Sequence, residues 1–117
     1  MLRGEIWQVD LDPAWGGEAN KQRPAVVVSN DRANATATRL GRGVVTVVPV
    51  TSNTARIYAF QVLLSAASGL AVDSKAQAEQ VRSVATERLL HRIGRISSAE
   101  LVKLDEALRL HLELWPS

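Results

Sequence analysis

The 117-residue sequence contains no cysteine and only two histidines. Disulfide bonds and thiolate metal sites are therefore excluded, and the cytosol is the natural compartment for such a chain. No apolar run approaches the roughly 18 residues that a membrane helix needs, and Gly16 and Gly17 lack the spacing of a phosphate-binding Walker loop. We therefore expect a cytoplasmic protein that needs no metal, no cofactor and no membrane.

The two histidines do not form a pair that would serve a nuclease. His91 follows a short turn and His111 lies in the terminal helical segment. A zinc site needs a cluster of nitrogen or sulfur ligands. We expect a structural or solvated role for both side chains.

The composition is that of one ordinary globular domain spanning residues 1–117. Hydrophobic residues make up 46% and charged residues 22%, which argues against disorder. The net charge of +2 does not by itself indicate a kind of partner. Residues 19–60, however, carry six basic side chains and a single acidic one, Asp31. A basic middle third can attract a polyanion, although a merely solvated basic face is an equally good interpretation.

The first two-thirds of the chain read as short strands separated by turn residues. The loops are residues 12–22 and 51–57, and short helical turns are expected at Asn30–Thr38 and Thr86–Leu90. The predicted strands are Glu5–Leu11, Pro24–Ser29, Val44–Val50, Tyr58–Leu64, Ala76–Val84 and Ile93–Ile96.

The end of the chain reads as one helix. Ser97 followed by Glu100 is a capping-box signature, and Pro116 marks the end. A helical stripe follows the cap: Leu101, Leu104, Leu108, Leu112 and Trp115. Short strands with one terminal helix predict a mainly β protein with a C-terminal helix, built as a small bent barrel.

Five blocks of the sequence together resemble the MazF/PemK family, most of all its mycobacterial members. They are RGEIW at 3–7, DLDP at 10–13, GE at 17–18 followed by QRPAVVVSN at 22–30, VPVT at 48–51 and AEQVRSV at 78–84. The blocks occur in the family's order and spacing, from about residue 3 to the C-terminal helix.

The resemblance implies a toxin of a type II toxin–antitoxin system with an SH3-like barrel that forms a homodimer. Its activity would be metal-independent cleavage of single-stranded RNA at a short sequence, which inhibits translation and growth. Its protein partner would be a MazE-like antitoxin, whose acidic, disordered C-terminal segment lies along the toxin.

Metal-free RNA cleavage usually proceeds by attack of a 2′-OH on its own phosphate, which needs a proton acceptor, stabilisation of the phosphoryl oxygens and a proton donor. Arg23 is the first candidate, because a guanidinium matches a phosphate in bidentate geometry and the resemblance marks this residue as catalytic. Thr51, which the resemblance also marks, is the second. Glu18 and Glu79 come third, since a carboxylate near the scissile phosphate can accept the 2′-OH proton or, equally, bind a base edge.

The remaining candidates are contacts to RNA rather than catalytic groups. Trp15 is a loop aromatic that can stack on an unpaired base or fold back on the barrel. Some plasmid relatives place an Arg and an Asp where this chain has Gln77 and Glu79, which puts that mechanism in doubt here. The full set of expected RNA contacts is Trp15, Gly17, Ser52, Asn53, Gln77, Glu79, Gln80 and Arg82.

Two other functions are compatible with such a fold. Some barrel relatives poison DNA gyrase by binding it without enzymatic activity, and an SH3-like adaptor would bind a peptide. Fold alone does not separate these functions. A side-chain pair made of Arg23 and Thr51 favours the nuclease, since a gyrase binder has no need of it.

Overall fold

The computed structural model describes residues 1–114, so the expectations for Trp115 and Pro116 lie outside the described residues. The strands are β1 (Glu5–Asp10), β2 (Gln22–Val27), β3 (Val44–Thr51), β4 (Gln61–Leu64), β5 (Ser74–Gln77), β6 (Arg82–Ala85) and β7 (Leu89–Arg95). The helices are α1 (Asp31–Leu40) and α2 (Ser98–Leu112), and single 3₁₀ turns occur at Ala66–Ser68, Ala78–Gln80 and Thr86–Arg88.

The strands form one antiparallel sheet in the order β4-β5-β3-β2-β1-β7, with β6 also paired to β3. This confirms the expected mainly β fold with a C-terminal helix. Strand β3 is the centre of the sheet, because β2 lies along one of its edges while β5 and β6 follow one another along the other. Its run of β-branched valines suits a strand buried on both faces.

The predicted strand Ala76–Val84 is wrong as a single strand. On the β3 side, Val47 faces Arg82 and Val50 faces Ala76. Three steps along β3 therefore match six steps on the opposite side, and the surplus residues form the 3₁₀ turn Ala78–Gln80. Residues 76–84 contain neither Gly nor Pro, so no turn-forming residue revealed the interruption.

Three other boundaries also differ from the expectations. The predicted strand Tyr58–Leu64 begins only at Gln61, because Tyr58 and Phe60 lie in the preceding turn, where their rings stack at 5.3 Å. Helix α1 is a full ten residues rather than a turn, capped by the Asn30 side chain. The last strand begins at Leu89, ahead of its predicted start.

Helix α2 begins with the predicted capping box, in which Ser97 and Glu100 exchange side chain-to-backbone hydrogen bonds. Leu104 is completely buried in the core. The stripe does not stay buried along its length, since Leu112 is 49% exposed. Within residues 1–114, no helix is both long enough and apolar enough to span a bilayer.

Two side chains fasten α2 to the rest of the fold. Arg3 at the start of the chain forms a salt bridge with Asp105. Glu100 accepts hydrogen bonds from the backbone N–H of Ser97 and of Ser65, each at 2.8 Å, and from the Ser68 hydroxyl at 3.2 Å. Burial alone would raise the pKa of Glu100, but these hydrogen bonds to the charged form outweigh it and lower the pKa below 4.5.

We therefore predict that Glu100→Gln lowers the free energy of unfolding at pH 7 by about 1 kcal/mol, because the amide keeps one acceptor oxygen but turns an NH2 donor towards the other backbone N–H. A carboxylate whose pKa is lower in the folded state stabilises that state above its unfolded pKa, and this contribution disappears as the pH falls through the folded pKa. The gap between wild type and variant should accordingly shrink below about pH 4.5. Denaturant unfolding at pH 7, 5 and 3 measures it.

Glu106→Gln is the matched control, because Glu106 is an exposed glutamate of the same helix. We expect it to unfold like the wild type at pH 7. If Glu100→Gln and Glu106→Gln are equally stable at pH 7, Glu100 does not hold the helix in the way described.

Candidate active site

Arg23 and Thr51 line the same groove, which has a volume of about 280 Å³. Its walls come from the start of β2, the end of β3 and the segment that leads into β5. The lining residues are Lys21, Gln22, Arg23, Pro24, Val50, Thr51, Ser52, Leu70, Ala71, Val72 and Ser74. The two leading candidates from the sequence are therefore brought together.

The pairing of β2 with β3 explains this proximity. Ala25 lies opposite Pro49, and Val26 lies opposite Val48. Extending the same register by two residues sets Arg23 across from Thr51. Residues directly opposite in an antiparallel pair point to the same face with Cβ atoms about 5 Å apart, so both side chains reach one groove.

The guanidinium of Arg23 is held by a single neighbouring residue. Its Nε donates to the backbone oxygen of Asn20 at 2.8 Å, and its Nη2 donates to the Asn20 Oδ1 at 2.9 Å. A guanidinium carries five N–H donors in one plane. These two bonds fix the plane and leave further donors for an anion.

Thr51 is the last residue of β3, and its hydroxyl oxygen accepts a hydrogen bond from the Asn53 N–H at 3.3 Å. Asn53 in turn accepts from the Ala55 N–H through its Oδ1, so it organises the loop rather than lining the groove. Because the Thr51 oxygen is used as an acceptor, its own proton can be donated to a phosphate oxygen. Ser52 is exposed beside it.

The groove is positively charged. Lys21 and Arg23 line it, and its lining includes neither Asp nor Glu, so the local field favours a phosphate. The sequence analysis did not select Lys21. Its backbone adopts φ 62°, which is unusual for a residue with a side chain. No sequence pattern predicts that conformation.

Glu18, Trp15 and Gly17 lie in the β1–β2 loop and are not part of the groove lining. The Glu18 carboxylate accepts from the Trp15 N–H at 3.1 Å, and the Glu18 N–H donates to the Trp15 oxygen at 3.0 Å. Trp15 itself is 83% exposed. The alternative in which this ring folds back on the barrel is therefore wrong.

The four candidates from Gln77 at the end of β5 to Arg82 at the start of β6 also lie away from the groove lining. Glu79 accepts from Gln61 at 2.7 Å through Oε2, and its other oxygen is buried. The Oε1 of Gln77 is buried as well. Gln80 is bonded to the β1–β2 loop, and Arg82 donates to the backbone oxygen of Leu11 at 3.3 Å. Their expected contacts to RNA stay predictions.

His91 and His111 are both exposed. Across residues 1–114, no three His, Asp or Glu side chains are grouped as ligands of a metal ion would be. The polar side-chain groups that line the groove are guanidinium, ammonium, amide and hydroxyl groups.

Comparison with known proteins identifies the family of the chain. Residues 2–112 match the family described as PemK-like, MazF-like toxin of type II toxin–antitoxin system. The chain is 79% identical to the endoribonuclease MazF9 of Mycobacterium tuberculosis over 98% of both chains. It is 32% identical to a probable endoribonuclease MazF of Mycolicibacterium smegmatis over 96% of both chains.

Solved structures show the same fold. The crystal structure of MazF from Deinococcus radiodurans superimposes with a TM-score of 0.82 at 26% identity, with 97% of both chains covered. A mycobacterial endoribonuclease in complex with its cognate antitoxin gives a TM-score of 0.79 at 22% identity over 99% of both chains. The chain therefore belongs to the PemK/MazF family, the endoribonuclease toxins of type II toxin–antitoxin systems.

Proposed function

We propose that this chain cuts single-stranded RNA without a metal ion, at a phosphodiester held between Arg23 and Thr51. The observation that carries the proposal is the shared groove, whose lining contains two basic side chains and no acidic one. A phosphate is the ligand that such a groove favours. A catalytic metal would instead need carboxylate or imidazole ligands.

The reaction is an internal transesterification. The 2′-OH of the nucleotide before the scissile bond loses its proton to a base and attacks the neighbouring phosphorus. The bond from phosphorus to the 5′ oxygen breaks, and this oxygen takes a proton from water. The products are a 2′,3′-cyclic phosphate and a 5′-OH end. DNA has no 2′-OH, so the chemistry is specific for RNA.

Arg23 stabilises the negative charge that develops on the phosphoryl oxygens. A guanidinium stays protonated throughout the neutral range, so electrostatic stabilisation suits it better than proton transfer. The Thr51 hydroxyl donates a hydrogen bond to an oxygen of the same phosphate. Preorganised donors of this kind are each worth about a hundredfold or more in rate.

Glu18 is the residue we assign to accept the 2′-OH proton. The groove lining includes neither carboxylate nor imidazole, so the acceptor has to come from outside it. Glu18 belongs to the loop that leads through Lys21 into Arg23. With RNA in the groove, the Glu18 side chain would rotate from the Trp15 N–H to the bound strand, and the exposed ring of Trp15 can stack on a base.

The family description supports a proposal for the partner of the toxin. We propose a homodimer in the cytosol that is neutralised by a MazE-like antitoxin. The family description names toxin–antitoxin systems, and a protein with the same fold was solved with its cognate antitoxin. An acidic antitoxin segment would compete with RNA for the positively charged groove.

We predict cleavage of single-stranded RNA by the purified protein in the presence of EDTA. Mass spectrometry should find 2′,3′-cyclic phosphate and 5′-OH ends, and the same sequence with 2′-deoxyribose at the cleaved position should stay intact. Intact RNA across several substrates and all protein concentrations would contradict the proposal. That outcome would favour a non-enzymatic toxin that binds a protein such as DNA gyrase.

We predict that Arg23→Ala lowers kcat by at least about a hundredfold, because transition-state charge loses its main counter-charge. The variant should keep the wild-type circular dichroism spectrum and Tm within a few degrees, because Arg23 lies at the surface end of β2. Arg39→Ala is the control: it removes an exposed arginine of α1 outside the groove. Equal activity of the two variants would show that Arg23 is not catalytic.

A further inference from the structure

Gln80 is bonded to the β1–β2 loop through both ends of its side-chain amide. Its Nε2 donates to the backbone oxygen of Gly17 at 2.9 Å, and its Oε1 accepts from the backbone N–H of Ala19 at 3.0 Å. These contacts join positions 63 and 61 residues apart in the sequence. Because Gln80 donates one hydrogen bond and accepts the other, the two bonds fix both the position and the orientation of the loop at this point.

The same stretch of loop is anchored by packing. Ala19 is only 7% exposed and belongs to a core cluster with Val9 and Leu11. On the other side, Gln80 ends the 3₁₀ turn Ala78–Gln80, which lies against β3 and α2. Gln80 therefore connects a firmly packed turn to the one buried residue of the loop's second half.

Asn20 follows Ala19 directly, and Asn20 makes both hydrogen bonds that hold the Arg23 guanidinium. Gln80 is thus linked to Arg23 by a short, continuous chain: two hydrogen bonds to the loop, one peptide bond from Ala19 to Asn20, and two hydrogen bonds from Arg23. Asn20 itself is exposed. Without the amide of Gln80, solvent can compete for the backbone groups next to Asn20.

We propose that Gln80 is a positioning residue that aims the Arg23 guanidinium into the groove through Ala19 and Asn20. The inference rests on the proposed catalytic role of Arg23 and deepens it. It also gives Gln80 a role other than direct contact with RNA, since both ends of its amide are already bonded. A neutral amide is required here, because a carboxylate at this position would face the Gly17 oxygen without a proton to donate.

The sharpest variant is Gln80→Met, which has a similar length, leaves the charge unchanged and removes both hydrogen bonds. We expect kcat to fall about ten- to a hundredfold, since displacement of a catalytic group by about 1 Å can cost a factor of a hundred. KM should change no more than about threefold, because transition-state stabilisation rather than ground-state binding is lost. Gln80→Glu should also lose kcat.

Asn20 provides the test of the route. Asn20→Ala removes the bond to Nη2 but keeps the backbone bond to Nε, so we expect a smaller loss of kcat, about three- to tenfold. Residues that act through one pathway give non-additive effects, and the double variant Gln80→Met with Asn20→Ala should be no slower than Gln80→Met alone. A double variant slowed by the product of the two factors would overturn the proposed route.

The exchange of the Arg23 Nε–H, followed by NMR on the free protein, provides a readout that does not depend on activity. In Gln80→Met this proton should exchange with water at least several times faster than in the wild type, while core amides of β3 keep their protection. Unchanged exchange would overturn the proposal, and so would an unchanged kcat. If Gln80→Met does not fold, a folded Asn20→Ala with wild-type kcat overturns it instead.

The outcomes separate this inference from the proposed function. A wild-type protein that cleaves RNA, with a Gln80→Met variant that is equally fast, leaves the nuclease intact and removes the role of Gln80. A wild-type protein that cleaves no RNA refutes the nuclease, while the Nε–H measurement still decides whether Gln80 holds Arg23.

Discussion

The pairing of β2 with β3 is the constraint on which the site depends. Its register sets Arg23 across from Thr51, and neither residue would be useful without the other in the same groove. The register is fixed because the two faces of these strands pack into different core clusters, so that a slip of one residue would move Val26 and Val48 from one cluster into the other. The geometry of the site is thus a consequence of core packing.

The polar contacts around the groove supply what packing alone does not. A strand end fixes where a side chain begins, but a long arginine side chain still has several rotatable bonds. Asn20 removes that freedom at Arg23, and Gln80 removes it from the loop that carries Asn20. The groove is therefore organised before RNA arrives, while the exposed side chain of Trp15 is free to adapt to the strand.

The sequence predicted the features that depend on local pattern. The family resemblance marked Arg23 and Thr51, which adjoin β-branched runs, and the capping box at Ser97 predicted the start of α2. Features that depend on register were not accessible. The 3₁₀ turn at Ala78–Gln80 contains neither Gly nor Pro that would mark it in the sequence, and the inward bonding of Gln80 depends on that turn.

The central claim is that one phosphodiester contacts both Arg23 and Thr51. The most direct measurement is a crystal structure with a single-stranded oligoribonucleotide that carries 2′-deoxyribose at the cleaved position and cannot react. We expect the oxygens of that phosphate within hydrogen-bond distance of the Arg23 guanidinium and the Thr51 hydroxyl. An RNA strand bound on another face, with the groove between β2 and β3 left to solvent, would contradict the account.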